Sequence, residues 1–468
     1  MSRIASKIIQ GAAGNTGSDY YWAAVYEIPE DSYRAPERYQ IGVEIDPDLA
    51  DGESPKVHIA ATSPDYNNYQ RIIEFDPDNS FAKTEEKTMT YSQYTYTTQY
   101  NSYCSYRMND AFYVAGHRSG TVISPHLHKW NAGTTTRSAI TVGSRDGSGN
   151  YSLMMLPDPD NNQFYFALLW DIDSNGRPWM ASGKISTSLA GSSTYYTRYG
   201  DNHTSKPISI NWEDDNKDSI IIVGQGMTQI GNYIERANFG VFNTSMVHSD
   251  TYYYSSSIAS GVDKSACFAG CPDGNGSVVF SMRDFTRNEY TFVKASISDG
   301  SVEKIVRHYT SGGDSQARNM SLGKDGFIYG TWFNRSNSNY DIFKMDPSDL
   351  SLVYSMRITA GGGNLSHEIG GFTKDAQNEV YYGGRAGDYI VVIKIPPDVF
   401  TFSDSSGDFT LAATETTSSF SSETISNSTY IVQNPSMQQG AISVVKSPDN
   451  PSSFVDATFT NLDTSLEL

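Results

Sequence analysis

Few residue groups in this chain have the types and spacing that chemistry needs. The clearest is DIDSNG, where Asp171, Asp173 and Asn175 alternate ahead of Gly176. Alternate oxygen ligands that converge on one ion, with a glycine for the sharp turn, open a calcium loop. A bidentate Glu should close such a loop at its twelfth position, where this chain has Ser182. Asn-Gly is equally good chemistry for a tight turn between two strands. Asp171, Asp173 and Asn175 are therefore the candidate metal site, calcium the one candidate cofactor, and a plain turn the alternative. His126 and His128 in PHLHKW share one face of an extended strand and could reach one ion, but no third ligand lies nearby in sequence. The glycines of GQGMTQIG follow the apolar run IIIV. A dinucleotide site needs G-x-G-x-x-G opening a helix, and this spacing fails.

The remaining candidates are weaker. Asp76 with Asp78, Asp158 with Asp160, and the group Asp214, Asp215 and Asp218 all fall at turn-like positions, where solvated loops explain them. There is no G-x-S-x-G elbow, no P-loop and no H-E-x-x-H. On this ground the chain reads as not an enzyme, with no catalytic residue to name. The three cysteines, Cys104, Cys267 and Cys271, cannot make a disulfide framework, and C-x-x-x-C is the wrong spacing for zinc. A Cys267–Cys271 disulfide stays open, and synthesis in a reducing compartment is expected.

The elements that must position these residues repeat. The end of an apolar strand, an apolar residue and a turn former recur at Glu27, Glu74, Lys129, Lys184, Val241, Lys294, Lys344 and Lys394. Successive spacings are 47, 55, 55, 57, 53, 50 and 50 residues. A preceding strand begins in step near Ile8, Val57, Phe112, Phe164, Ile220, Val278, Phe327 and Val380, so eight copies of one hairpin are counted. A period near 50 without helical stretches matches four-stranded propeller blades. The fold is expected to be all-β, a β-propeller of seven or eight blades over residues 1–398. The first hairpin, residues 6–28, is so like the last copy that it is expected to complete the terminal blade and close the ring. Residues 399–468 are Ser/Thr-rich with short alternating runs such as FTLAAT, TYIVQ and AISVVK, and read as a small β-rich module or an extension onto a neighbour.

Composition narrows the function. Lys plus Arg is 34 against 53 Asp plus Glu, a net charge of −19, which repels nucleic acid and anionic membrane surfaces. No apolar run is long enough for a membrane span or a secretory signal, so neither is expected. Tyrosine is in excess, 32 residues against 6 Trp, with clusters at Tyr91–Tyr106 and Tyr252–Tyr254. Such residues suit half-buried strands of a large sheet protein, or stacking on a sugar or another subunit.

This Ser-, Thr-, Asn-, Gly- and Tyr-rich composition is similar to that of tail and appendage proteins of tailed bacteriophages. The stretch ASKIIQGAAGNTG also resembles the starts of structural proteins in marine phages. The resemblance implies a virion protein made in the host cytoplasm, a non-enzymatic propeller module of a tail, fibre or surface appendage. Its partners would be other virion proteins in a homo- or hetero-oligomeric assembly, and a host surface glycan. The alternative is a carbohydrate-binding or carbohydrate-active propeller.

Overall fold

The structure, a computed structural model, describes residues 6–10, 22–27, 42–45, 56–62, 70–76, 82–90, 100–108, 110–118, 122–131, 137–141, 145–146, 153–172, 178–189, 192–198, 203–229, 233–256, 265–284, 289–310, 315–334, 339–360, 363–364, 372–374, 380–386, 389–395, 401–406, 409–426, 430–433, 438–441 and 455–456. Among them there is no α-helix, and the strands form seven antiparallel sheets.

Each sheet is a blade. Blade 1 holds Gly42–Ile45, Val57–Thr62, Gln70–Asp76 and Ala82–Thr90. Blade 2 holds Tyr100–Met108, Ala111–Arg118, Val122–Asn131 and Arg137–Thr141. Blade 3 holds Leu153–Asp158, Gln163–Ile172, Pro178–Ser186 and Ser192–Arg198. Blade 4 holds His203–Trp212, Ser219–Gln229, Tyr233–Asn243 and His248–Ser256. Blade 5 holds Ser265–Pro272, Ser277–Asp284, Glu289–Ser296 and Val302–Thr310. Blade 6 holds Ser315–Leu322, Ile328–Asn334, Asn339–Asp346 and Ser351–Ala360. Blade 7 joins Phe372–Lys374, Val380–Ala386 and Tyr389–Ile395 to the N-terminal strands Trp22–Glu27 and Ser6–Gln10. The first strands of blades 1 to 6 pack on one another in order, and Phe372–Lys374 packs on Gly42–Ile45, so the sheets stand around one axis. The fold is a β-propeller.

Blades 3 to 6 are buried on both faces, which is why runs such as IIIV at 220–223 are apolar without alternation. Ile220 and Ile222 face blade 3, and Ile221 and Val223 face blade 5. The tyrosine run divides in the same way: Tyr253 packs toward blade 3, Tyr252 and Tyr254 toward blade 5. Their hydroxyls then bond the turn of the next blade, Tyr252 to the Ser298 carbonyl at 3.1 Å and Tyr254 to the Gly300 carbonyl at 2.9 Å.

The repeated anchor has a structural meaning that the hairpin count missed. Seven anchors lie on the third strand of a blade, but Glu27 lies on the fourth strand of blade 7, beside the strand that carries Lys394. The eight copies therefore occupy seven sheets, because the first hairpin adds to an edge that the last copy leaves open. In blades 1, 4, 5 and 6 the pairing slips by one residue at the anchor, leaving Thr84, Ser249, Glu303 or Val353 as the bulged residue of the fourth strand.

Residues beyond Val399 form no separate sheet among those described. Phe402–Ser406 pairs with Phe409–Glu415, and the latter pairs with the fourth strand of blade 6. The chain then returns around the ring against the order in which it built it. Phe420–Ile425 joins blade 5, Tyr430–Gln433 blade 4, Gln438–Ala441 blade 3 and Val455–Asp456 blade 1. This belt takes the place of the module or outward extension expected from composition.

The turn at Gly300, between the third and fourth strands of blade 5, is a stringent test of this packing. Its φ is +70°, and a Cβ there would lie 2.2 Å from the Tyr252 ring. Gly300→Ala is expected to cost about 2 kcal/mol or more, read as a lower urea midpoint at unchanged slope. Gly276→Ala, at φ +84° with open space around it, should show only the backbone part, about 1 kcal/mol.

Candidate functional site

The residues singled out by sequence are only partly assembled. Asp171 lies in the second strand of blade 3, opposite Trp179, with a register slip between Leu169 and Asp171. Asp173 and Asn175 lie outside the described residues. The DIDSNG motif thus spans the link between the second and third strands. His126 and His128 sit on the third strand of blade 2, opposite Thr141 and Ala139. Among the described residues no group of three or more His, Cys, Asp or Glu could hold a metal ion. GQGMTQIG runs into an antiparallel hairpin within Ser219–Gln229 and Tyr233–Asn243, with no helix to receive a phosphate. Cys267 and Cys271 are buried, on one strand and not bridged, so the disulfide left open by the sequence does not form. Four residues of extended chain separate them by about 13 Å, against the roughly 7 Å limit for bridging.

The most distinctive chemistry lies in the seams between blades. In blades 2, 3, 6 and 7 the anchor lysine stands directly across from a tyrosine: Lys129 from Tyr113, Lys184 from Tyr165, Lys344 from Tyr329 and Lys394 from Tyr381. Each ammonium lies over its ring at 5.2 to 5.8 Å. The pair also reaches forward. The Tyr113 hydroxyl and the Lys129 ammonium both donate to the Thr187 carbonyl of blade 3, at 3.0 and 2.9 Å. Lys294 donates to the Pro347 carbonyl of blade 6 and pairs with Asp273 at 2.8 Å.

Blade 1 departs from this rule. Its pair is His58 across from Glu74, and the missing cation comes from the neighbour. Arg107 of blade 2 meets Glu74 at 3.1 Å, with Asp110 at 3.6 Å from the same guanidinium and the Phe112 ring 5.7 Å away. The Thr84 hydroxyl donates to the other Glu74 oxygen at 2.6 Å. His58 is fully buried, edge-on to Phe112 at 5.8 Å. Burial, with the nearby Arg107 charge, lowers its pKa to about 4 despite a stabilising contact with the Ser105 backbone. The result is a neutral imidazole beside a bound ion pair, shielded from solvent: a charged joint rather than an acid–base site open to a substrate. The sequence held a sign of it, since Glu74 breaks the lysine column and His58 the tyrosine column.

Two expectations follow from this seam. His58 takes up protons more readily unfolded than folded, so stability should fall as pH drops from about 6.5 toward 4, by up to about 3 kcal/mol from this residue. His58→Leu should flatten that part of the pH profile of urea melts. Arg107→Leu leaves the Glu74 carboxylate buried without its cation and should cost about 3–5 kcal/mol. Adding Glu74→Gln should recover part of the loss in a double-mutant cycle.

Comparison with known proteins gives distant structural likenesses alone. No protein-family model and no curated protein matches the sequence. Among solved structures the chain is similar to an oligogalacturonate lyase in complex with manganese, with a TM-score of 0.43 and 8% identity over 85% of this chain and 97% of that one. It is similar to the Dos1 propeller, with a TM-score of 0.44 and 10% identity over 76% and 92%. It is also similar to a Synechocystis apocarotenoid oxygenase, with a TM-score of 0.32 and 8% identity over 68% and 62%. The reading of the chain as non-enzymatic is corrected by this finding. Two of these three are enzymes, and the absence of a catalytic motif is no ground for that reading. At these scores no activity passes from them to this protein.

Proposed function

We propose that this chain is a structural component of a virus particle, a propeller module of a phage tail, fibre or surface appendage. It works through contacts with other virion proteins and presents a surface to a host glycan. The observation that supports this reading is the belt. A protein made in a reducing cytoplasm and used outside it has no disulfides to rely on, and Cys267 and Cys271 here are buried and not bridged. Its durability must come from strand pairing. The belt adds outer strands to blades 6, 5, 4, 3 and 1, and the N-terminal hairpin adds two to blade 7. Among the described residues no helix is long and apolar enough to cross a membrane, and the net charge of −19 disfavours a nucleic-acid partner.

The test is immunogold labelling and mass spectrometry of purified particles from cells that express the encoding genome. The protein is expected in particles at a fixed stoichiometry to the other virion proteins. Its absence from intact particles would overturn the reading. Cleavage or specific binding of a polysaccharide by the isolated protein, together with that absence, would replace it with a carbohydrate-directed propeller.

A further inference from the structure

In each blade the anchor residue meets a different set of groups, and in blade 5 that set is equipped for covalent chemistry. Lys294 stands across from Val279, where blades 2, 3, 6 and 7 have a tyrosine, and Val279 is fully buried. The Lys294 ammonium reaches the turn between the first two strands and meets Asp273 Oδ2 at 2.8 Å. Both groups are withdrawn from water, with the Asp273 side chain 1% and the Lys294 side chain 14% exposed. The two carboxyl oxygens differ in their surroundings. Oδ1 accepts from the backbone amides of Asn275 and Ser277 at 2.8 and 3.0 Å. Oδ2 is buried and makes no hydrogen bond of ordinary geometry, although the Lys294 nitrogen is in contact with it.

A third group completes the set. Glu303, the bulged residue of the fourth strand, places Oε2 3.8 Å from the Lys294 nitrogen. Its Oε1 accepts from the Ser277 hydroxyl at 3.0 Å. Ser277 therefore fixes both acids, Asp273 through its amide and Glu303 through its hydroxyl. An amine held against a carboxyl group by the fold has already lost the freedom that a bimolecular amidation must give up. Two amides aimed at Oδ1 stabilise the charge that gathers there as nitrogen adds to the carbon. A carboxylate beside the nitrogen can carry its protons.

We propose that Lys294 and Asp273 condense to an intramolecular amide cross-link, with Glu303 as the proton carrier. Nζ bonds to Asp273 Cγ, the Cγ–Oδ2 bond breaks, and Oδ2 leaves as water. Glu303 takes the two protons that Nζ gives up, one at a time, passes them to Oδ2, and ends as the carboxylate it was. Oδ1 stays as the amide carbonyl on its two backbone donors. The remaining N–H is left to donate to the Pro347 carbonyl of blade 6, as the ammonium does at 3.2 Å. The step is neither an oxidation nor a reduction, so a reducing compartment that prevents disulfides does not prevent it.

Blade 6 supplies the comparison. Lys344 meets Asp325 Oδ2 at 2.9 Å, and Asp325 Oδ1 accepts from the Phe327 amide at 3.2 Å. The bulged residue there is Val353, so no carboxyl stands where Glu303 does, and this pair stays ionic.

Mass spectrometry of the intact, folded chain is the test. The expected mass is one water below that of the sequence. Trypsin should then fail to cut after Lys294, and residues 265–283 should be recovered joined to residues 288–304 as one branched peptide. Lys294→Arg should restore the full mass. Glu303→Gln should keep the cooperative melt and form the bond at least about a hundredfold more slowly. Full sequence mass after long incubation of the folded protein would overturn the proposal. So would a lost water that maps to a ring closed between Asp273 and Gly274, because Asp-Gly pairs can lose water without a lysine. Cross-linking of Glu303→Gln at the unmodified rate, or an equal yield of branched peptide at Lys344 and Asp325, would refute the role given to Glu303.

Discussion

Everything in this molecule depends on one pairing, the five-residue antiparallel ladder between Trp22–Glu27 and Tyr389–Ile395. A blade with two apolar faces cannot be stable by itself, because each face needs the next blade to cover it. An open row of such blades would expose one whole apolar face at either end. The ladder joins strands more than 360 residues apart, so its closure carries a large loop entropy, offset only when the blades between are in place. Ring closure and blade packing are thus one cooperative event, and the terminal blade is built from both ends of the propeller chain.

Within that frame the seams are repeated with substitutions, and the substitutions show what each position must do. In several blades a lysine near the end of the third strand holds a carbonyl of the next blade or a carboxylate of its own. Lys129 does so on a carbonyl, Lys294 on a carboxylate and a carbonyl, and Lys344 on Asp325 at 2.9 Å. Blade 1 reverses the polarity, placing the carboxylate in the column and the guanidinium across the seam. Blade 4, with Val241 in the column, relies instead on tyrosine hydroxyls from its fourth strand. His308 performs the same task in blade 5: its Nε2 donates to the Leu350 carbonyl at 2.8 Å, which leaves Nδ1 to accept from Ser422. Burial lowers the pKa of this histidine and favours the neutral ring that such a relay requires.

The repeat was legible because each copy carries its own local evidence, apolar strands bounded by turn formers and, in five of the eight, closed by a lysine. The blade count was harder, because Glu27 obeys the local pattern while sitting on a different strand of the sheet. The belt was legible only as strands. Runs such as FTLAAT and TYIVQ announce extended backbone, but nothing local names their partners, which are the fourth strands of blades built 50 to 370 residues earlier. A Ser/Thr-rich sequence with little charge describes a strand that lies on an outer edge, and it describes an exported tail just as well. The seam of His58, Glu74 and Arg107 failed to stand out for a related reason. Glu74 and His58 stand out only as breaks in their columns, and Arg107 is an ordinary residue until the ring brings blade 2 against blade 1.

The outer edges show how a sheet protein with so little charge keeps its strands from pairing with strangers. The belt covers only the later part of each fourth strand: Met356–Ala360 of Ser351–Ala360, Ile305–Thr310 of Val302–Thr310, and Tyr253–Ser256 of His248–Ser256. The earlier part is where the bulge falls. There the bulged side chain turns back on the anchor strand: Thr84 to Glu74, Ser249 to the Val241 carbonyl, and Glu303 toward Lys294. A bulge breaks the register that an incoming strand would need, and Glu85, Asp250 and Lys304 beside it add charge. Blade 6 alone among these four places an apolar residue at the bulge, Val353, 45% exposed. There the Thr416 latch on Ser355 closes the edge two residues further on. Each edge is therefore divided between two devices, pairing where the strand is straight and distortion where it is bent, so neither has to protect the full length.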